Sequence, residues 1–255
     1  MAAMAAKLIG VGVGPGDPDL LTTRAVRTLR AADRVVAPSV AVDAVGRAES
    51  VVRQAVPDVR IERLVFDMSG EHSYTDSAAA LLPWLDDGDV VAFVTLGDPN
   101  VYSTFSSLAA AVVAQRPALA VETVPGIMAF QDLAARSGTV VLDGSESLAL
   151  VTALDGAGAV AEAAADPARA VVVYKGGRHL PAVAKALADA GRLDGAVVGE
   201  LLGLPGQRVV PVAEAADQPA TYLATVIVPP ANRPQIFSTA PAAVEKMGEG
   251  PGGST

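Results

Sequence analysis

Short apolar, β-branched runs alternate with stretches of helical periodicity along most of this chain, and no other feature narrows the fold as far. Val90-Val91-Ala92-Phe93-Val94 has no polar side chain on either face, as a central parallel strand covered by helices on both sides requires. Further strand-like runs fall at 7–13, 34–37, 60–65 and 120–124. Between them lie helical patterns. The first is capped by Asp17, has Pro18 in first position and carries Leu21, Ala25 and Leu29. Others cover 45–55, 77–85 and 101–115, and a helix over 127–136 leads onward.

The pattern then restarts. Strands are expected at 148–152, 170–174 and 196–200, with an Ala-rich helix near Val160 and a helix over 180–190. The runs at 208–212 and 221–228 are joined by 213–220, too short for a helical crossover, so they are expected to be antiparallel. The expectation is an α/β protein of two α/β domains. A mainly parallel sheet occupies the N-terminal domain, 7–126. A linker helix and a mixed sheet make up 127–238, and a Pro-, Gly- and Ser-rich tail over 239–255 is expected to be disordered. Ligands of such folds bind beyond the carboxyl ends of strands and often between domains, so the active site is expected in the trough between the two.

The chain has no cysteine, which removes disulfides, thiolate metal sites and a cysteine nucleophile. Its two histidines, His72 and His179, stand far apart, and no metal site is expected. A net charge of −9 without a long basic run weighs against nucleic-acid binding. No apolar stretch reaches membrane-spanning length, and residues 1–6 do not resemble a signal peptide, so a cytoplasmic protein is expected.

The chemistry should lie in the loops after the strands. Gly10-Val11-Gly12-Val13-Gly14-Pro15-Gly16-Asp17 invites a dinucleotide-binding reading, but the third glycine of that fingerprint would fall at Pro15 or Asp17. That disfavours a nicotinamide-dependent oxidoreductase and leaves a tight turn or a close backbone approach to a ligand. In Leu96-Gly97-Asp98-Pro99-Asn100, Gly97 admits a ligand near the backbone. Asp98 either accepts hydrogen bonds from a ribose or an amine, or caps the next helix. Ser103 and Thr104 either bond to a ligand or are ordinary hydroxyls in a first helical turn. Pro125-Gly126-Ile127-Met128 makes a wall for a flat ring, or a simple domain joint. Lys175, Arg178, His179 and Arg208 put positive charge after two later strands, which hints at a polycarboxylate ligand.

Together these loops resemble the tetrapyrrole methylase family, enzymes that use S-adenosylmethionine (SAM). The matching segments are Gly12-Val13-Gly14-Pro15-Gly16-Asp17 with Leu20-Leu21-Thr22, then Gly97-Asp98-Pro99, then Pro125-Gly126-Ile127, in the family order over residues 7–230. Within the family the chain is most similar to the precorrin-2 C20-methyltransferases, through Val11-Gly12-Val13-Gly14-Pro15-Gly16-Asp17-Pro18-Asp19-Leu20-Leu21-Thr22 and Thr95-Leu96-Gly97-Asp98-Pro99-Asn100-Val101-Tyr102-Ser103-Thr104-Phe105. It departs from them at Phe66-Asp67-Met68, where Phe-Pro-Met is expected.

The resemblance implies a homodimer that binds SAM and a tetrapyrrole, precorrin-2, with its cobalt-bearing counterpart or another corrin-pathway substrate as the alternative. It carries SAM contact onto Pro15, Leu96, Gly97, Asp98, Val101, Met128, Ala129, Lys175 and Leu202. Tyr102, Ser103, Thr104, Arg178 and Arg208 are the candidate substrate contacts. Methyl transfer from a sulfonium to an electron-rich carbon needs positioning rather than a protein nucleophile or a metal. A non-catalytic nucleotide-binding module remains the reading from another class; it would bind a nucleotide and never turn over SAM.

Overall fold

Successive residues along the central strands alternate between two helical layers, and this alternation builds the first half of the molecule. The computed structural model describes residues 6–41, 43–66, 73–231 and 233. Asp67, Met68, His72 and the 239–255 tail lie outside the described residues. Two units are formed: residues up to Asp132 together with Gly199–Arg208, and Leu133–Val198 together with residues from Val209 onward.

The first unit holds β1 (Lys7–Gly12), α1 (Thr23–Ala31), β2 (Arg34–Ser39), α2 (Arg47–Ala55), β3 (Ile61–Val65), α3 (Ser73–Asp86), β4 (Val90–Thr95), α4 (Thr104–Gln115) and β5 (Ala120–Val124); α5 (Ala129–Ser137) begins in it. Its sheet runs β3-β2-β4-β1-β5, and every recorded pairing is parallel. On one face Ile9, Val11, Val35, Ala92 and Val94 pack with Leu29 of α1 and Val51 and Val52 of α2. On the other, Leu8, Val36, Val91 and Phe93 pack with Leu81 and Leu85 of α3 and Phe105 and Leu108 of α4. Gly10 leaves room for the Phe105 ring, which a Cβ there would meet at 2.4 Å.

The second unit carries β6 (Ser147–Thr152), α6 (Gly158–Ala164), β7 (Arg169–Tyr174), α7 (Leu180–Asp189), α8 (Val212–Ala215) and β10 (Thr225–Val228). Its sheet, completed by β8 (Val197–Glu200) and β9 (Arg208–Pro211), runs β6-β7-β10-β8-β9. Strands β6 and β7 are parallel, β10 and β7 antiparallel, so the sheet is mixed. Arg192 is 3% exposed and donates to the carbonyls of Ala164, Asp166, Arg169 and Pro229, tying the end of α6 to the strands beside it. Among the described residues no helix is long and apolar enough to cross a membrane.

Three expectations are corrected. Asp17 does cap a turn, accepting from the Asp19 N–H, but that turn is a 3-10 helix, Pro18–Leu20; Leu21 is extended, and α1 starts afresh behind Thr22, whose hydroxyl accepts from the Ala25 N–H. The helix expected from Val101 starts at Thr104, because Tyr102 sits at φ +48, outside helical geometry. The connection between the runs at 208–212 and 221–228 holds a helix, α8, and the two strands are not neighbours: β8 lies between β9 and β10, and β10 takes β7 as its antiparallel neighbour.

Candidate active site

The chain leaves β1 through α1 on one face and leaves the adjacent β4 through α4 on the opposite face. Connections that diverge in this way open a crevice beyond the carboxyl ends of the two strands, where ligands of open α/β sheets bind. The glycine loops recognised in the sequence occupy that position.

There the loops after β1, β4 and β5 are stitched together by backbone. Val13 N–H donates to the Thr95 carbonyl at 2.9 Å, and Gly97 N–H to the Gly14 carbonyl at 2.8 Å. A Cβ on Gly12 would lie 2.5 Å from the Gly97 carbonyl oxygen and 2.6 Å from the Gly126 nitrogen; one on Gly126 would lie 2.1 Å from the same oxygen. Only glycine lets three main chains approach so closely. Gly97 differs from them. It has φ +66 and nothing within 4 Å of an added Cβ, so its conformation demands glycine while its outer side opens onto free space.

Asp98 does not cap α4; the Ser103 hydroxyl does, accepting from the Phe105 N–H and sharing a hydrogen bond with Thr95. Instead the Asp98 carboxylate spans two loops, accepting from the Asn100 N–H (2.8 Å) and the Gly126 N–H (3.1 Å). Each carboxylate oxygen keeps a further acceptor position. Met128 precedes α5, and its N–H donates to the Gln131 side chain, half of a capping box. The turn after β8 packs onto the first loop: a Cβ on Gly16 would meet the Leu202 carbonyl at 2.2 Å, and one on Gly203 would meet the Asp17 nitrogen at 2.2 Å.

The structure thus gathers Pro15, Leu96, Gly97, Asp98, Val101, Met128, Ala129 and Leu202 in the first unit, with Tyr102, Ser103, Thr104 and Arg208; Lys175 and Arg178 belong to the second. Among the described residues, three non-glycines adopt left-handed backbone: Tyr102 (φ +48), Lys175 (φ +56) and Leu201 (φ +50). Lys175 and Leu201 directly follow β7 and β8, and Tyr102 lies in the loop between β4 and α4. A side chain in that conformation costs about 1–2 kcal/mol, and such strain concentrates at functional positions. Tyr102 is 45% exposed. Burial pushes the Lys175 ammonium below the ordinary lysine range. Arg208 lies 3.5 Å from Glu200, which takes up part of its charge, and Arg178 is exposed. The knot formed by Gly12 and Gly126, and the strained Leu201, are absent from the expected contacts. The glycine motifs signal the knot; nothing in the sequence signals Leu201, because a left-handed leucine has no local signature.

A family profile described as Tetrapyrrole (Corrin/Porphyrin) Methylases matches residues 7–216. The chain is 33% identical, over 88% of its length and 95% of the relative's, to a protein named precorrin-2 C(20)-methyltransferase from Sinorhizobium sp. It is 29% identical, over 88% of its length and 97% of the relative's, to a cobalt-precorrin-2 C(20)-methyltransferase from Salmonella typhimurium. The solved structure of a cobalt precorrin-4 methyltransferase, CbiF, superposes with a TM-score of 0.68 at 20% identity, covering 88% of this chain and 95% of that one, and so shares the fold.

Proposed function

The chain belongs to the tetrapyrrole (corrin/porphyrin) methylases, and from that premise we propose that it transfers a methyl group from SAM to C20 of precorrin-2, giving precorrin-3A in cobalamin biosynthesis. The observation that carries this reading is the 33% identity to a precorrin-2 C(20)-methyltransferase across nearly the whole of both chains.

The residues fit the cofactor. Gly97 offers a backbone open on one side, and Asp98 keeps acceptor positions for a ribose hydroxyl or an ammonium. In this reading Pro15, Leu96, Gly97, Asp98, Val101, Met128, Ala129, Lys175 and Leu202 hold SAM. When bound, SAM supplies a methyl group already activated on a sulfonium. The protein's own part is to align that methyl with the electron-rich C20 and to exclude water, which in ideal cases removes about 7–11 kcal/mol of barrier. Tyr102, Thr104, Arg178 and Arg208 face the substrate; the Ser103 hydroxyl is already engaged as a helix cap and adds less. A homodimer and a cytoplasmic setting follow from the same family reading.

The test is anoxic incubation with SAM and precorrin-2, followed by mass spectrometry and NMR of the product. One new methyl group at C20 is expected, with a parallel reaction on cobalt-precorrin-2 reporting metal preference. S-adenosylhomocysteine (SAH) should bind once per chain by calorimetry, without competition from NAD. Methylation at another carbon, or none on either substrate, overturns the assignment.

A further inference from the structure

A groove of about 400 Å³ opens in the first unit between the start of α2 and the turn after β8. Val45, which is 56% exposed, and Leu201, Leu204 and Pro205 give it apolar walls, and Gly46 and Ser50 complete its lining. Arg47, the first residue of α2, also lines it. Both sides follow strand ends, β2 for α2 and β8 for the turn. The turn also rests on Gly16 and Asp17 of the first glycine loop through Leu202 and Gly203. One wall of the groove therefore belongs to the same turn that rests on the first glycine loop.

Arg47 brings a positive charge to this groove. In a chain of net charge −9, Arg30, Arg34, Arg53, Arg63, Arg116 and Arg208 are each paired with a carboxylate. Arg47, like Arg24, Arg27, Arg60 and Arg178, has no ion pair or hydrogen bond with any described residue, but of these it is the one that lines the groove beside apolar side chains. A free guanidinium beside exposed Val45 suits a ligand with an apolar body and carboxylates on its rim. Leu201 holds its wall position at φ +50, a conformation that leucine rarely adopts.

We propose that this groove is a binding subsite for the rim of the tetrapyrrole, with Arg47 pairing one of its carboxylate side chains and Leu201 and Leu204 packing against the adjoining pyrrole edge. The proposal rests on the methyltransferase reading. It adds a substrate-binding residue, Arg47, on the first unit.

Steady-state kinetics with precorrin-2 tests it in Arg47→Ala, Arg47→Lys, Arg47→Glu and Leu204→Ala. Arg47→Ala should raise KM roughly three- to tenfold, the range expected when a partly exposed charge-assisted contact is lost, with kcat within about twofold. Arg47→Lys should recover part of the loss, because lysine keeps the charge without the two-pronged geometry. Arg47→Glu should be worse than Arg47→Ala, and all differences should shrink as salt rises. SAH affinity should be unchanged. Binding of uroporphyrin, an unreactive porphyrin octacarboxylate, reads the groove without turnover and should weaken in Arg47→Glu. If wild-type protein fails to methylate precorrin-2, the methyltransferase reading fails, whatever the uroporphyrin result. If wild type turns over and Arg47→Glu keeps the wild-type KM and uroporphyrin affinity, the subsite is overturned. A change in oligomeric state on Leu204→Ala with KM intact overturns it as well, because the groove is then a protein contact.

Discussion

Asp98 shows how one carboxylate can carry structure and chemistry together. From the sequence it is either a ligand contact or the cap of the next helix. The structure gives the cap to Ser103 and makes Asp98 the clasp between the loops after β4 and β5. In Asp98→Asn only one side-chain oxygen remains, and the amide NH2 is turned toward a backbone N–H. Losing one charge-assisted hydrogen bond costs about 1.5–3 kcal/mol, so melting should fall by roughly 3–12 °C for a chain of this size. SAH affinity should fall about tenfold or more if the same carboxylate holds the cofactor. Scanning calorimetry with and without SAH separates the two effects. Unchanged melting contradicts the clasp, and unchanged affinity contradicts the cofactor role. Lys175 is a second residue whose environment the sequence could not supply. Its type and position after a strand are plain in the sequence, but its left-handed backbone and its burial depend on neighbours far along the chain.

At the level of elements, the glycine-bearing loops were legible as loops and as a family pattern, while their mutual contact was not. Gly12, Gly97 and Gly126 are far apart in sequence and meet only because β4, β1 and β5 lie side by side. The glycines accordingly differ in what a methyl group would do to them. Gly97→Ala meets open space and bears only the left-handed φ, a cost of about 1–2 kcal/mol. Gly126→Ala sets a Cβ 2.1 Å from the Gly97 carbonyl, in a loop already fixed by the Gly97 N–H on Gly14 and by Asp98. It should be the more destabilising of the two and should also distort the cofactor site. Urea unfolding with SAH titration of both variants checks the order; equal stability of the pair would show that the loop yields. The same dependence on neighbours explains the pairing of β10. The connection between the last two strands looked too short for a helical crossover, yet it holds α8 and steps past β8, because sheet order is set by which apolar faces find cover.

Across the whole molecule, charge is buried where it locks elements together. Glu49, fully buried on α2, accepts from Arg63 of β3 and from Arg53. The Arg63 guanidinium holds its carboxyl below the ordinary glutamate value against the opposing effect of burial, and Arg53 adds to the effect. A carboxyl with a depressed folded pKa contributes stability that is fully present above its unfolded value near 4.5 and is lost as pH falls through the lower folded value. Glu49→Gln should therefore cost about 1.5–3 kcal/mol at neutral pH and progressively less in acid, as measured by urea unfolding across that window. A pH-independent difference would mean that the side chain's shape, not its charge, matters. Such locks are invisible to periodicity, which assigns Glu49 to a helix and goes no further. The sequence by itself determined the strand–helix alternation, the parallel first sheet, the mixed second sheet and the loops that carry the family pattern. Those follow from local propensity, binary patterning and glycine and proline stereochemistry, all short-range. Only the tertiary structure decided which glycines touch, what Asp98 clasps, which strand β10 joins and that Arg47 overlooks an apolar groove, because each depends on groups distant in the chain being brought within a few ångströms by the order of strands in a sheet.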